Sequence, residues 1–228
     1  MAEFIMLKNL AVLLLISFLG VQTVHAEEEL PIYSGIGGNF SAVNQDGKPI
    51  EFNDFKGQPV LLTFGYTNCA DICPFTLGYL SRIYAGLTKD EQKKISVIFV
   101  TVDPKYDTPK HLKKFMAHFN SEFIGLSGTK QQIDNIVSLF QAKYEKLSAE
   151  NMVPTKNIRR VTQKTLTDET NTQEDNTQED NTQEDKSSLY SHTVTIYLID
   201  KSGFTRSIEY TGTPQEEFIG KIRGLINE

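Results

Sequence analysis

The sequence predicts an α/β domain, a largely parallel sheet with helical crossovers, closed at its C-terminal end by an antiparallel strand pair. Three observations carry that prediction. Two continuous apolar runs, Pro59 to Tyr66 and Ile95 to Val102, are each followed by a helical pattern, as strands covered on both faces are. A second pair of strand-like runs, Thr193 to Asp200 and Phe204 to Tyr210, is separated only by Lys201-Ser202-Gly203, the length of a hairpin turn. The only cysteines in 228 residues, Cys69 and Cys73, stand where the first run gives way to the first helix.

Taken in order, residues 1–26 read as a secretory signal peptide or an uncleaved anchor. Lys8 precedes an apolar run from Leu10 to Val21, and Val24-His25-Ala26 has the small-x-small form of a cleavage site. The run holds 12 residues, short for crossing a bilayer. Glu3 is unusual in such a flank, and Met6 makes a cleaner start. No Cys follows the run, so no lipid anchor is expected there. The flank is not Arg-rich, which favours bacterial export over a mitochondrial transit peptide. The expected location is the periplasm or the periplasmic face of the inner membrane, with membrane association through the N-terminal segment. Export places the cysteines in an oxidising compartment.

Residues 27–38 are expected to form an exposed leader, and 39–228 a single domain. Asn39 to Gly57 alternates around Asp46-Gly47, a dipeptide favoured in hairpin turns. Pro59 to Tyr66 is the first core strand. Pro74 falls in the first turn of the next helix, where its missing N–H is harmless, and that helix turns Leu77, Leu80, Ile83, Tyr84 and Leu87 inward. Ile95 to Val102 is the second core strand. Thr108 is placed to cap, and Pro109 to open, a helix carrying Leu112, Phe115, Met116 and Phe119 on one face. A short strand at Phe123 to Leu126 precedes an amphipathic helix from Gln131 to Tyr144, with Ile133, Ile136, Val137 and Phe140 inward. The strand pair and a last helix, Pro214 to Ile226, finish the chain. With both cysteines after the first core strand, this order is the plan of a thioredoxin-like fold with an N-terminal β-hairpin extension.

Residues 148–188 do not fit that plan. Asn171 to Asp185 is Asn-Thr-Gln-Glu-Asp written three times, and its six carboxylates account for the whole net charge of −6. Such a segment cannot bury enough surface to offset its ordering entropy and is expected to form a disordered acidic loop. Carboxylates are hard ligands and select poorly for soft metals. Outside the repeat the chain is near neutral, and no basic stripe suggests nucleic acid.

The chemistry rests on the cysteines. A spacing of three intervening residues sets the second sulfur about one helical turn from the first on the same face. That suits two thiolates on one ion. It also permits a disulfide, because Cα atoms so spaced lie about 6 Å apart. Thiolates prefer soft or borderline ions such as Cu(I) or Zn(II), and two are too few for a closed structural zinc site, so a third ligand is needed. Of the four histidines, His25 lies in the signal segment. His111 and His118 share a helix crowded by Lys110, Lys113 and Lys114 and are read as solvated. His192 stands immediately before a buried strand, where the alternative to ligation is a strand-edge imidazole bonded to the backbone.

Three separated motifs now agree in order: Cys69-Ala70-Asp71-Ile72-Cys73-Pro74, then Val102-Asp103-Pro104-Lys105-Tyr106-Asp107-Thr108-Pro109, then His192 with Tyr197-Leu198-Ile199-Asp200. Together they resemble the Sco/SenC family from about Tyr33 to the C-terminus, outside the repeat. The resemblance implies an exported or membrane-associated thioredoxin-like protein that binds copper, as Cu(I) or Cu(II), through Cys69, Cys73 and His192. It implies a metallochaperone rather than an enzyme. Its expected partners are the copper-binding subunit of cytochrome c oxidase, whose copper site it helps assemble, and a copper-donor protein. Asp71 and Asp103 are candidate outer or weak oxygen ligands, Asp103 equally a turn former. Two departures stand out: Ser191 where the family usually has an acidic residue, and Tyr106 where it usually has Arg.

Two other functions fit the same cysteines. One is a thiol–disulfide oxidoreductase acting on the oxidase subunit's cysteines, since exchange and metal binding use the same sulfurs. The other is a peroxidase, weakened because the chain lacks Pro-x-x-x-Thr-x-x-Cys before Cys69.

Overall fold

The structure, a computed structural model, describes residues 29–147 and 189–228. The signal segment and the acidic repeat lie outside the described residues. The strands are β1 (Ser41–Asn44), β2 (Pro49–Glu51), β3 (Val60–Gly65), β4 (Ser96–Thr101), β5 (Ile124–Ser127), β6 (Tyr144–Lys146), β7 (Tyr190–His192), β8 (Ile196–Ile199) and β9 (Thr205–Glu209). The helices are α1 (Ile72–Ala85), α2 (Lys89–Gln92), α3 (Pro109–Ala117), α4 (Lys130–Leu139) and α5 (Gln215–Asn227).

Seven strands form one sheet in the order β2-β1-β5-β4-β3-β8-β9. β3, β4 and β5 run parallel, and β8 and β9 continue the sheet antiparallel. This is a thioredoxin-like α/β sheet. Every residue of β3 is buried, which is why its sequence is apolar without alternation. On α1, Leu77, Leu80 and Ile83 are fully buried, and each contributes about 1.5–3 kcal/mol by leaving water.

The N-terminal hairpin forms around Gly47, whose φ of +76° suits a residue without Cβ. Asn44 Oδ1 accepts from the N–H groups of Asp46 and Lys48 at 2.9 and 3.0 Å. β1 also pairs with β5, so the extension lengthens the main sheet. Past β2 the chain turns into a short 3₁₀ helix, Phe52–Phe55. Residues 31–35 are exposed, yet the segment before the hairpin is tied down. Tyr33 N–H donates to Thr205 O at 2.9 Å, and the buried Arg206 donates to Leu30 O. Arg206 also pairs with Asp200 at 3.1 Å and Glu228 at 2.9 Å.

α3 starts as the sequence predicts: Thr108 Oγ1 accepts from His111 N–H, and Pro109 is its first residue. α4 differs. The predicted helix to Tyr144 stops at Leu139, because Gln141 takes a φ of +50° that ends a right-handed helix. Tyr144 then begins β6, which pairs antiparallel with β7 in a separate two-stranded ribbon. The ribbon's partners lie 44 or more residues apart in the chain, beyond the reach of local periodicity. It places His192 opposite Tyr144.

Candidate metal centre

Cys69, Cys73 and His192 come from three different kinds of backbone. Cys69 lies in the irregular loop after β3, its N–H bonded to Tyr66 O at 3.2 Å. Asp71, with φ −132° and ψ −77°, is outside the helical range, so α1 begins at Ile72 and Cys73 lies in its first turn. The predicted one-turn spacing on a shared helical face therefore does not describe the pair: the loop's bend brings the sulfurs together. His192 ends β7.

The two Sγ atoms and an imidazole nitrogen all lie within 4.8 Å of one another, the one such group among the described residues. Both cysteines are free thiols and buried. His192 Nε2 is 3.3 Å from Cys73 Sγ. Its other nitrogen, Nδ1, is 2.9 Å from Thr193 O. A carbonyl only accepts, so Nδ1 carries the proton and Nε2 offers its lone pair to the sulfurs. The backbone-bonded imidazole and the imidazole aimed at sulfur are one and the same. Tyr66 stands edge-on to the ring at 5.8 Å.

The thiols are electrostatically unequal. Burial works to raise the Cys69 thiol, but the backbone N–H groups of Asp71, Cys73 and Ile72 and the Cys73 thiol together outweigh it, and Cys69 lies below its ordinary value. Those N–H groups are the unpaired donors of a helix N-terminus, which favours a thiolate. Burial pushes the Cys73 thiol strongly up. Burial also lowers His192, so the imidazole is neutral at pH 7. Cys69 therefore ionises before Cys73, and the Cys73 thiol lies within hydrogen-bond reach of the His192 Nε2 lone pair.

Three further residues shape the site without being legible in the sequence. A Cβ on Gly65 would lie 2.8 Å from Cys73 Sγ and 2.6 Å from Phe99 Cε2, so only glycine lets the sulfur nest against β3. Tyr66 OH accepts from Tyr190 N–H at 3.3 Å, tying the cysteine loop to β7. The buried Asp107 carboxylate accepts from Thr67 and Thr101. In the sequence it stands within the second of the three motifs, directly before the Thr108 cap, with nothing to mark it as a partner of the cysteine loop.

Asp71 and Asp103 do not belong to the cluster. Asp71 is exposed, at the N-cap of α1, with no side-chain cap bond. Asp103 is buried, its carbonyl closes a turn with Tyr106 and Asp107, and its carboxylate accepts from Tyr190 OH at 3.4 Å. His111 and His118 are exposed and outside the cluster; His111 donates from Nδ1 to Tyr106 O at 2.7 Å. Ser191 is exposed and faces Glu145 across the ribbon. A groove of 770 Å³ borders His192, lined by Lys143, Tyr144 and Asp134 among others.

Two sulfurs and one neutral imidazole suit a soft or borderline ion in a low-coordinate site. A metal entering here must displace the Cys73 proton. The same dithiol, without metal, is equipped for disulfide exchange.

Known proteins resemble this chain in sequence and fold. The SCO2-like protein of Rickettsia felis is 38% identical over 119 residues, which cover 52% of this chain and 58% of that protein. The chain thus spans little more than half the length of the curated relatives it matches. The copper-bound structure of Bradyrhizobium japonicum ScoI superimposes with a TM-score of 0.64 at 26% identity, covering 83% of this chain and 99% of that one. BsSco, described with a disulfide switch as a member of the Sco family of cytochrome c oxidase assembly proteins, has a TM-score of 0.57 at 20% identity, over 87% and 97%, a likeness of fold. The model of the SCO1/SenC family matches residues 31–172 and stops short of His192, so the imidazole's place beside the sulfurs is read from the structure. Matched over more than half its length, with the fold of its relatives, the chain belongs to the SCO1/SenC family.

Proposed function

We propose that this protein binds copper through Cys69, Cys73 and His192 and delivers it to the copper-binding subunit of a cytochrome c oxidase during assembly. The observation that carries the proposal is the convergence of two sulfurs and one imidazole nitrogen within 4.8 Å from two segments far apart in the chain. Two thiolates favour Cu(I), and the imidazole extends the set to Cu(II). The Thr193 carbonyl holds the imidazole in the tautomer that ligates. Copper uptake requires the Cys73 proton to leave, and acid favours release. That the related ScoI holds copper and that BsSco is described as an oxidase assembly protein support the reading. In this reading the segment ending at Ala26 sends the chain out of the cytoplasm, and it works in the periplasm.

The test is copper titration of the reduced protein against a competing chelator, with absorption spectroscopy. A thiolate-to-Cu(II) charge-transfer band is expected in the parent and absent in Cys69→Ser and Cys73→Ser. His192→Ala is expected to lose copper to the chelator at least tenfold more readily. Parent-like copper affinity in His192→Ala overturns the three-ligand site.

A second reading, reduction of the oxidase subunit's cysteines, is favoured by the unequal thiols. Cys69 thiolate attacks the partner disulfide, and Cys73 then displaces the partner thiol. The products are a Cys69–Cys73 disulfide and a reduced partner, two electrons and two protons having passed. Disulfide exchange that survives His192→Ala while copper binding fails separates the two activities.

A further inference from the structure

Of the three residues in the site, Cys73 is fixed by a helix and His192 by a strand, but Cys69 sits in a loop with no regular hydrogen bonding. Among the described residues, 67–71 have just two hydrogen bonds to distant parts of the chain, and both run from Thr67 to Asp107. Thr67 N–H donates to Asp107 Oδ2 at 2.9 Å, and Thr67 Oγ1–H donates to Oδ1. On the other side of the carboxylate, Thr101 Oγ1–H donates to Oδ2, while Thr101 Oγ1 itself accepts from Asp103 N–H at 3.0 Å. Thr101 ends β4, directly beside Gly65 at the end of β3. Asp107 is itself anchored: it has no exposed surface, and its N–H donates to Asp103 O at 2.8 Å.

We propose that Asp107 is the positioning residue for Cys69, its buried carboxylate clamping the start of the cysteine loop to the end of the central strand β4. The carboxylate suits this role because it is all acceptor and meets three donors. Removing it leaves the half-buried Thr67 N–H without its partner, which a loop relieves by moving toward water. Cys69 is two residues along that loop, so movement of Thr67 carries the sulfur away from Cys73 Sγ and His192 Nε2. The inference rests on the copper reading for its consequence in metal retention, but the placement of Cys69 is measurable without metal.

The test compares Asp107→Ala, Asp107→Asn and Thr101→Val by two measurements. One is amide hydrogen exchange at Cys69 in the reduced metal-free protein; that amide's acceptor, Tyr66 O, is untouched by the substitutions. The other is the rate at which bound copper passes to a competing chelator. Asp107→Ala is expected to speed both at least tenfold. Asp107→Asn keeps an acceptor for Thr67 N–H and offers a donor to Thr67 Oγ1, so it is expected to stay within threefold of the parent. Thr101→Val cuts the clamp on the strand side while Thr67 stays bonded, so it is expected to lower the melting temperature and leave both rates within threefold. If Asp107→Ala does not fold, Thr67→Val, which retains the N–H bond, is expected to speed Cys69 exchange at least threefold.

Parent-like Cys69 exchange in these loop-side variants overturns the proposal. So does acceleration spread evenly over the protein, which marks a purely structural role. Equal damage by Asn and Ala also overturns it, since charge rather than placement would then be at work. If the parent itself retains no copper, the carrier reading fails, and amide exchange still decides the role of Asp107.

Discussion

Gly65→Ala tests whether the sulfur site depends on one missing methyl group. A Cβ built at Gly65 meets Phe99 Cε2 at 2.6 Å, Phe99 Cζ at 2.8 Å and Cys73 Sγ at 2.8 Å. Comfortable contacts between carbons lie at about 3.5–4.0 Å, so the overlap is close to an ångström on two sides. Neither neighbour can retreat into solvent, since Phe99 is 1% and Cys73 2% exposed. Overpacking of this kind costs about 1–3 kcal/mol. The lost flexibility of the unfolded chain gives back about 0.4–1 kcal/mol, leaving a net loss. At about 2–4 °C per kcal/mol for a protein of this size, thermal unfolding of the reduced metal-free protein is expected several degrees below the parent. Cys73 Sγ must also move from its place 3.3 Å from His192 Nε2, so copper retention falls with stability. Gly212→Ala is the control: a Cβ there meets nothing within 4 Å, and neither quantity is expected to change. A Gly65→Ala protein with parent melting temperature and parent copper affinity would refute the close-packed account of the sulfur's position.

Three other outcomes follow from the same structure. With one equivalent of iodoacetamide on the reduced protein, peptide mapping is expected to find the label on Cys69, whose thiol is lowered, and not on Cys73, whose thiol burial raises. Burial lowers the His192 pKa from 6.5, so as pH falls through that value the unfolded chain takes up a proton that the folded chain refuses, and stability drops. Melting curves between pH 7.5 and 5.5 should show that drop reduced in His192→Asn. Arg206→Ala leaves the Asp200 carboxylate, 8% exposed, buried without its cation, at about 3–5 kcal/mol. Asp200 keeps the N–H groups of Ser202 and Phe204, which points to the lower end, read by urea unfolding.

Much of the fold was legible because its signals are local. The unbroken apolar run before Cys69 became β3, Thr108 and Pro109 opened α3, and Asp46-Gly47 turned the first hairpin. Each depends on residues within a few positions of one another. The helix predicted to Tyr144 failed at its end for the opposite reason. Residues 144–146 have a helical pattern behind them, but their hydrogen bonds go to residues 190–192, and a pairing across that distance leaves no periodic trace.

The candidate site divides the same way. The sequence alone determined which side chains are available: two cysteines in a chain with no others, one histidine a few residues before a buried strand, and the order of elements that sets the cysteines at the carboxyl end of a central parallel strand. Only the tertiary structure decided how near they come, which thiol ionises first, and which nitrogen faces the sulfur. Those depend on a glycine that leaves room, a carbonyl that takes the Nδ1 proton, and N–H groups gathered around one sulfur. Distances, burial and the direction of a lone pair are properties of chain segments meeting in space, and residue order does not encode them in any short window.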